Sequence, residues 1–123
     1  MFHAEANQAG GVLTMSFAQH VNAGQMGECL ARVTGLLEGW KPGFRLVTDL
    51  SSLDSMDADC ALDLGAIMEI TAKRGVKAVL RVIPDPRKDI GFTLLSHLHY
   101  GPEVEVSTYD NLADAIHGMS ACA

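Results

Sequence analysis

Three short apolar runs, VLTMSF at 12–17, FRLVTDL at 44–50 and VKAVLRVI at 76–83, alternate with segments whose apolar residues recur every three or four positions. A run of six to eight mostly apolar residues bounded by turn formers reads as a strand buried on both faces. A 3–4 spacing reads as a helix that buries one stripe. Strand and helix taking turns along a chain of 123 residues leave few arrangements other than a mainly parallel sheet with right-handed crossovers. Such a length suits one domain over residues 1–123, with a core that needs no metal or disulfide staple.

The elements follow in order. Residues 2–7 and 12–17 form a hairpin through Gln8-Ala9-Gly10-Gly11. Met26, Cys29, Leu30, Val33, Leu36 and Leu37 mark a first helix, closed by Gly39 and Lys41-Pro42-Gly43. A strand at 44–50 leads to a second helix of about sixteen residues ending near Arg74-Gly75, then to the strand at 76–83. Asp85 and Pro86 suit the N-cap and first position of a helix reaching about His99, which Gly101-Pro102 ends. A short strand at 104–108 and a last helix, capped by Asp110 and ending near Gly118, complete an α/β fold. The expectation is a mixed, mostly parallel sheet of about five strands with about four helices.

Charge is concentrated. Between Arg45 and Lys73 lie Asp49, Asp54, Asp57, Asp59, Asp63 and Glu69 with no lysine or arginine, so this segment carries the whole net charge of −6. A nucleic-acid partner calls for a basic stripe, so none is expected. No apolar run is long enough to span a bilayer, and the first residues do not have the basic-then-apolar order of a secretory signal. Three cysteines without metal-type spacing, Cys29, Cys60 and Cys122, read as free thiols of a cytoplasmic protein.

The stretch TDLSSLDSMDADC, residues 48–60, holds most of the candidate chemistry. Asp54, Ser55 and Asp57 are N-cap types, and acids at a helix start complement its positive end. Asp49, at the carboxyl end of a strand, stands where open α/β sheets bind ligands. A cation shared by Asp49, Asp54 and Asp57 would lack a full calcium loop, and no metal site or cofactor is assigned. No Gly-x-Ser-x-Gly elbow is present and Cys60 has no histidine partner in sequence, so no catalytic residue is assigned and the chain is not read as an enzyme. His97 and His99, two apart on a helix, make a poor metal pair. Arg87 and Lys88 at a helix start are weak candidates for holding an anion, as Asp49 and Ser51 are for a ligand.

Projection of residues 57–74 at helical spacing puts Cys60, Ala61, Leu64, Ile67, Met68 and Ala72 on one face, towards the sheet. Asp59, Asp63 and Lys73 fall opposite, together with Leu62, Ala66 and Ile70. These last three read either as scattered surface apolars or as a strip framed by carboxylates, a docking surface for a protein partner or a second copy.

The order of elements, the strand end Asp49-Leu50-Ser51, the acidic loop and the helix running into Lys73-Arg74-Gly75-Val76 resemble the STAS domain of anti-sigma-factor antagonists and sulphate transporters. The chain is similar to its small, stand-alone, sporulation-antagonist-like bacterial branch. The resemblance implies a non-enzymatic regulatory or protein-interaction module. In the antagonists a loop after Asp-Leu-Ser leads to Asp-Ser-Ser-Gly, whose second serine is phosphorylated. Laid on this chain, that motif falls on Asp57, Ala58, Asp59 and Cys60, so a carboxylate stands at the phosphosite and both hydroxyls are absent. Ser55 is the nearest remaining hydroxyl and the candidate regulatory phosphosite. The partner surface is then Asp57, Ala58, Asp59, Leu62, Asp63, Ala66 and Ile70. Resemblance to lipid-carrier (Sec14-type) STAS relatives implies an alternative, a carrier of a small apolar or nucleotide ligand held between the helices that follow Leu50 and Pro84.

Overall fold

A computed structural model of the chain describes residues 1–85 and 99–121. Strands β1 (Phe2–Asn7), β2 (Val12–Val21), β3 (Arg45–Met56), β4 (Ala78–Val82) and β5 (Glu105–Tyr109) make one sheet in the order β1-β2-β3-β4-β5. β1 and β2 are antiparallel, and every later pair is parallel. The expected mixed, mostly parallel sheet is the one observed. Gly11, at φ +64, closes the hairpin with its N–H on Gln8 O and with Gly10 N–H on Asn7 Oδ1.

Helices α1 (Ala23–Leu36), α2 (Cys60–Lys73) and α3 (Leu112–Ala121) cover the sheet on both sides. On one side, Leu13, Met15, Phe17, Leu46, Leu50 and Val79 meet Met26, Cys29 and Val33 of α1 and Cys60, Leu64 and Ile67 of α2. This is the alternate-residue set of β2 and β3, as the two-residue period of a strand requires. On the other side Val47, Ala78 and Leu80 form a smaller cluster with Val12, Tyr109 and Met119. β4 is buried at all five positions because helices lie against both its faces, which is why 76–83 reads as one apolar run.

α1 starts on a complete capping box: Asn22 Oδ1 accepts from Gln25 N at 2.9 Å, and Gln25 Oε1 accepts from Asn22 N at 3.0 Å. Two features differ from the sequence expectations here. The cap of α3 is Asn111, whose Oδ1 takes the Asp114 N–H at 2.8 Å, and not Asp110. The helix also runs three residues past Gly118, to Ala121. The helix expected from Asp85 towards His99 lies almost wholly outside the described residues, as do Arg87, Lys88, His97 and Cys122.

The larger difference is β3, which does not end at Leu50. It continues to Met56 against an extended β2, so twelve residues of β3 face ten of β2. Two bulges absorb the surplus, one where the register steps from Ser16↔Asp49 to Ala18↔Ser52 and one where it steps from Gln19↔Leu53 to His20↔Ser55. β4 leaves β3 at Asp49↔Val82, so the second half of β3 has β2 as its ladder neighbour among the described residues.

Candidate functional site

The two bulges set the roles of the acidic stretch. At the first, Asp49 Oδ1 accepts from Ser51 N–H at 2.9 Å and from Ser51 Oγ at 2.6 Å. A bulge takes a backbone N–H off the ladder, and a carboxylate two residues earlier satisfies it. Asp49 therefore lies inside a strand that continues to Met56, with its Oδ1 holding Ser51, and not at the strand's end.

At the second bulge Gln19 takes φ +60, a left-handed conformation unusual for a residue with a side chain, and the chain re-aims at His20. His20 Nδ1 lies 2.6 Å from Ser55 Oγ, and His20 Nε2 lies 3.0 Å from Asp57 Oδ1. Ser55 is thus an exposed strand residue, and its expected place at a helix start is corrected, as it is for Asp54, which also lies in β3. Asp57 N–H donates to Val21 O at 3.0 Å, and its carboxylate binds His20, so it is not a capping residue either. The cap position of α2 falls on Asp59, with helical dihedrals and no side-chain cap hydrogen bond.

Cys60 is buried, its Sγ 3.6 Å from Val21 O. Burial, followed by the charge of Asp57, pushes its thiol pKa up, the reverse of what a reactive thiol needs. Leu64, Ile67 and Met68 pack on the sheet as projected, but Ala61 is exposed and Thr71 is buried instead, its Oγ1 3.0 Å from the Tyr100 hydroxyl. Gly65 is buried as well: a Cβ there would come within 2.7 Å of His99 Nε2, and His99 Nδ1 meets Glu69 Oε1 at 3.0 Å. Asp63 is half-buried at the seam with α1, its Oδ2 3.5 Å from where a Cβ on Gly27 would stand, so it does not lie on a fully solvated face.

What remains open on α2 is its first turn and outer strip. Ala58, Asp59 and Ala61 are exposed, Leu62 keeps 83% of its surface in solvent, and Ala66 and Ile70 are half-buried. The exposed Leu62 thus lies in a turn of α2 that also carries Asp59 and Asp63.

Sequence reasoning missed two features. His20 sits 35 residues from Ser55, and nothing local announces that bulged β-pairing will join them. The other is an open groove of about 540 Å³ on the opposite face of the sheet, lined by Val12, Thr14, Val47, Leu112, Ile116 and Met119. The spacing of Leu112, Ile116 and Met119 is its one sequence trace. The described residues leave a void of about 10 Å³ between α2 and the sheet, beside Leu64, Met68 and Tyr100, while the second helix that the carrier reading needs, after Pro84, lies outside the described residues.

No protein-family model matches the sequence, and no curated protein is similar to it. Solved structures are similar in fold. An uncharacterised protein of the DUF3478 family with a SpoIIAA-like fold, from Shewanella loihica PV-4, superimposes with a TM-score of 0.70 at 14% identity, over 96% of this chain and 91% of that one. An anti-sigma factor antagonist from Mycobacterium paratuberculosis gives 0.62 at 21% identity, over 98% and 93%. The Bacillus cell fate determinant SpoIIAA in its phosphorylated form gives 0.63 at 13% identity, over 97% and 99%. The fold is therefore SpoIIAA-like, as the order of strands and helices implied.

Proposed function

We propose that the chain is a non-enzymatic regulatory module that docks a protein partner on the surface made by Asp57, Ala58, Asp59, Leu62, Asp63, Ala66 and Ile70. The observation that carries this reading is Leu62, a large apolar side chain 83% exposed in the first turn of α2, with Asp59 at the cap and Asp63 next to it in the chain. Covering a leucine removes roughly 1.5–3 kcal/mol of unfavourable hydration, which is the size of a binding hot spot. These acids select a partner with basic residues around an apolar pocket. The anti-sigma factor antagonists of like fold support a regulatory role, and the buried thiols of Cys29 and Cys60 accord with a reducing, cytoplasmic setting.

Regulation falls on Ser55 in this reading. A phosphate there, carrying about −1.5 to −2 charge, would stand against the His20 ring and compete with Asp57 for it. Asp59, next to the exposed tip, holds a charge that no kinase or phosphatase removes.

Affinity purification from the native cell tests the surface. Wild type and Ile116→Asp, altered in the opposite groove, should retain the same partner, while Leu62→Asp should weaken it at least about 30-fold, the equivalent of 2 kcal/mol. Equal retention by Leu62→Asp would rule this surface out.

A further inference from the structure

We infer that Ser55 is an activated hydroxyl, a site of covalent acylation by electrophilic acyl donors such as thioesters and aryl esters, with His20 as its base and Asp57 as the positioning residue. The inference shares Asp57 with the docking surface but does not depend on a partner binding there. It rests on three groups from two strands and the start of a loop, joined in one line: Ser55 Oγ to His20 Nδ1 at 2.6 Å, and His20 Nε2 to Asp57 Oδ1 at 3.0 Å. A carboxylate accepts and cannot donate, so in the neutral ring Asp57 holds the proton on Nε2. Nδ1 is then left with its lone pair towards the serine. This is the division of labour of a Ser-His-Asp triad with the two ring nitrogens exchanged.

The arrangement is built into the backbone. His20 and Ser55 are register partners across the parallel β2–β3 pair, immediately past the second bulge. Asp57 is fixed by its own N–H on Val21 O. Gln19 holds φ +60, a left-handed backbone that is strained for a residue with a side chain. The fold bears that strain at the residue that aims the imidazole.

The chemistry balances without an oxidant or a metal. Ser55 Oγ attacks the acyl carbonyl carbon, the Oγ–C bond forms, and the C–S or C–O(aryl) bond of the donor breaks. The hydroxyl proton passes to His20 Nδ1 and from there to the leaving thiolate or phenolate. The outcome that the experiment reads is acylation of Ser55 itself.

Treatment with p-nitrophenyl acetate followed by peptide mass spectrometry tests this, with exposed Ser52 of the same strand as an internal reference. Ser55 should be acetylated about 10²-fold faster than Ser52, the usual worth of a positioned base. His20→Gln should bring Ser55 down to the Ser52 rate. Asp57→Asn should slow it by an intermediate factor. Acetylation of Ser55 no faster than Ser52, or an undiminished Ser55-to-Ser52 ratio in His20→Gln, would overturn the assignment. Because the ratio is taken within one molecule, a general loosening of the fold does not mimic the predicted loss.

Discussion

Asp49 shows how a single residue can look like a site and serve as structure. Its Oδ1 takes both the backbone N–H and the hydroxyl of Ser51, replacing the ladder partner that the bulge removes. Asp49→Ala leaves that N–H to solvent and should lower stability by about 1 kcal/mol in urea denaturation. Asp49→Asn keeps a carbonyl acceptor at the same reach and should lose less than half as much. The neighbouring acids divide in the same way. Asp57 binds His20, Asp63 lies in the α1–α2 seam, and Asp59 starts α2. Asp59 and Asp63 also flank the exposed Leu62 closely in sequence. A composition rich in acids told where these roles cluster, but not which residue holds which.

The core elements were legible because burial imposes a period. The stripe Met26, Cys29, Val33 and the set Cys60, Leu64, Ile67 are where the 3–4 spacing placed them, and β4 is the buried run that alternation with helices demanded. The second half of β3 was not legible. Of residues 51–56 only Leu53 is fully buried, so the strand carries serine and aspartate at positions open to water and reads as loop. Its pairing with β2 depends on bulges, which shift the two-residue period instead of repeating it. The Ser55–His20–Asp57 line was hidden for the same cause, since β2 also extends past its apolar part. For α3, Asn111 and Asp110 are equivalent as cap types, and only the hydrogen bond to Asp114 N–H separates them.

For the molecule as a whole, packing and charge act on different faces. Among the buried ionisable groups, Cys29 and Tyr100 tie the core to pH most strongly. Burial raises the Cys29 thiol from 9.0 to about 12 and, against smaller opposing effects of Thr71 and Arg81, the Tyr100 phenol from 10.0 to about 12. Both are raised in the folded state, so their full contribution is present below pH 9 and is lost as pH climbs to about 12. The loss is on the order of 4 kcal/mol for Cys29 and 3 kcal/mol for Tyr100. Denaturant midpoints should therefore fall steeply from pH 9 upward, and more gently in Cys29→Ala, whereas an unchanged slope in that variant would contradict the assignment. The proposed docking face, by contrast, is made of exposed and half-buried groups. Hydrogen exchange on the protein bound to its co-purified partner tests the central claim most directly. The account predicts slowed exchange at residues 58–62, the first turn of α2, extending along the helix to Ile70. Protection confined to residues 112–119 and the facing β2 residues, with 58–62 exchanging as in the free protein, would contradict it.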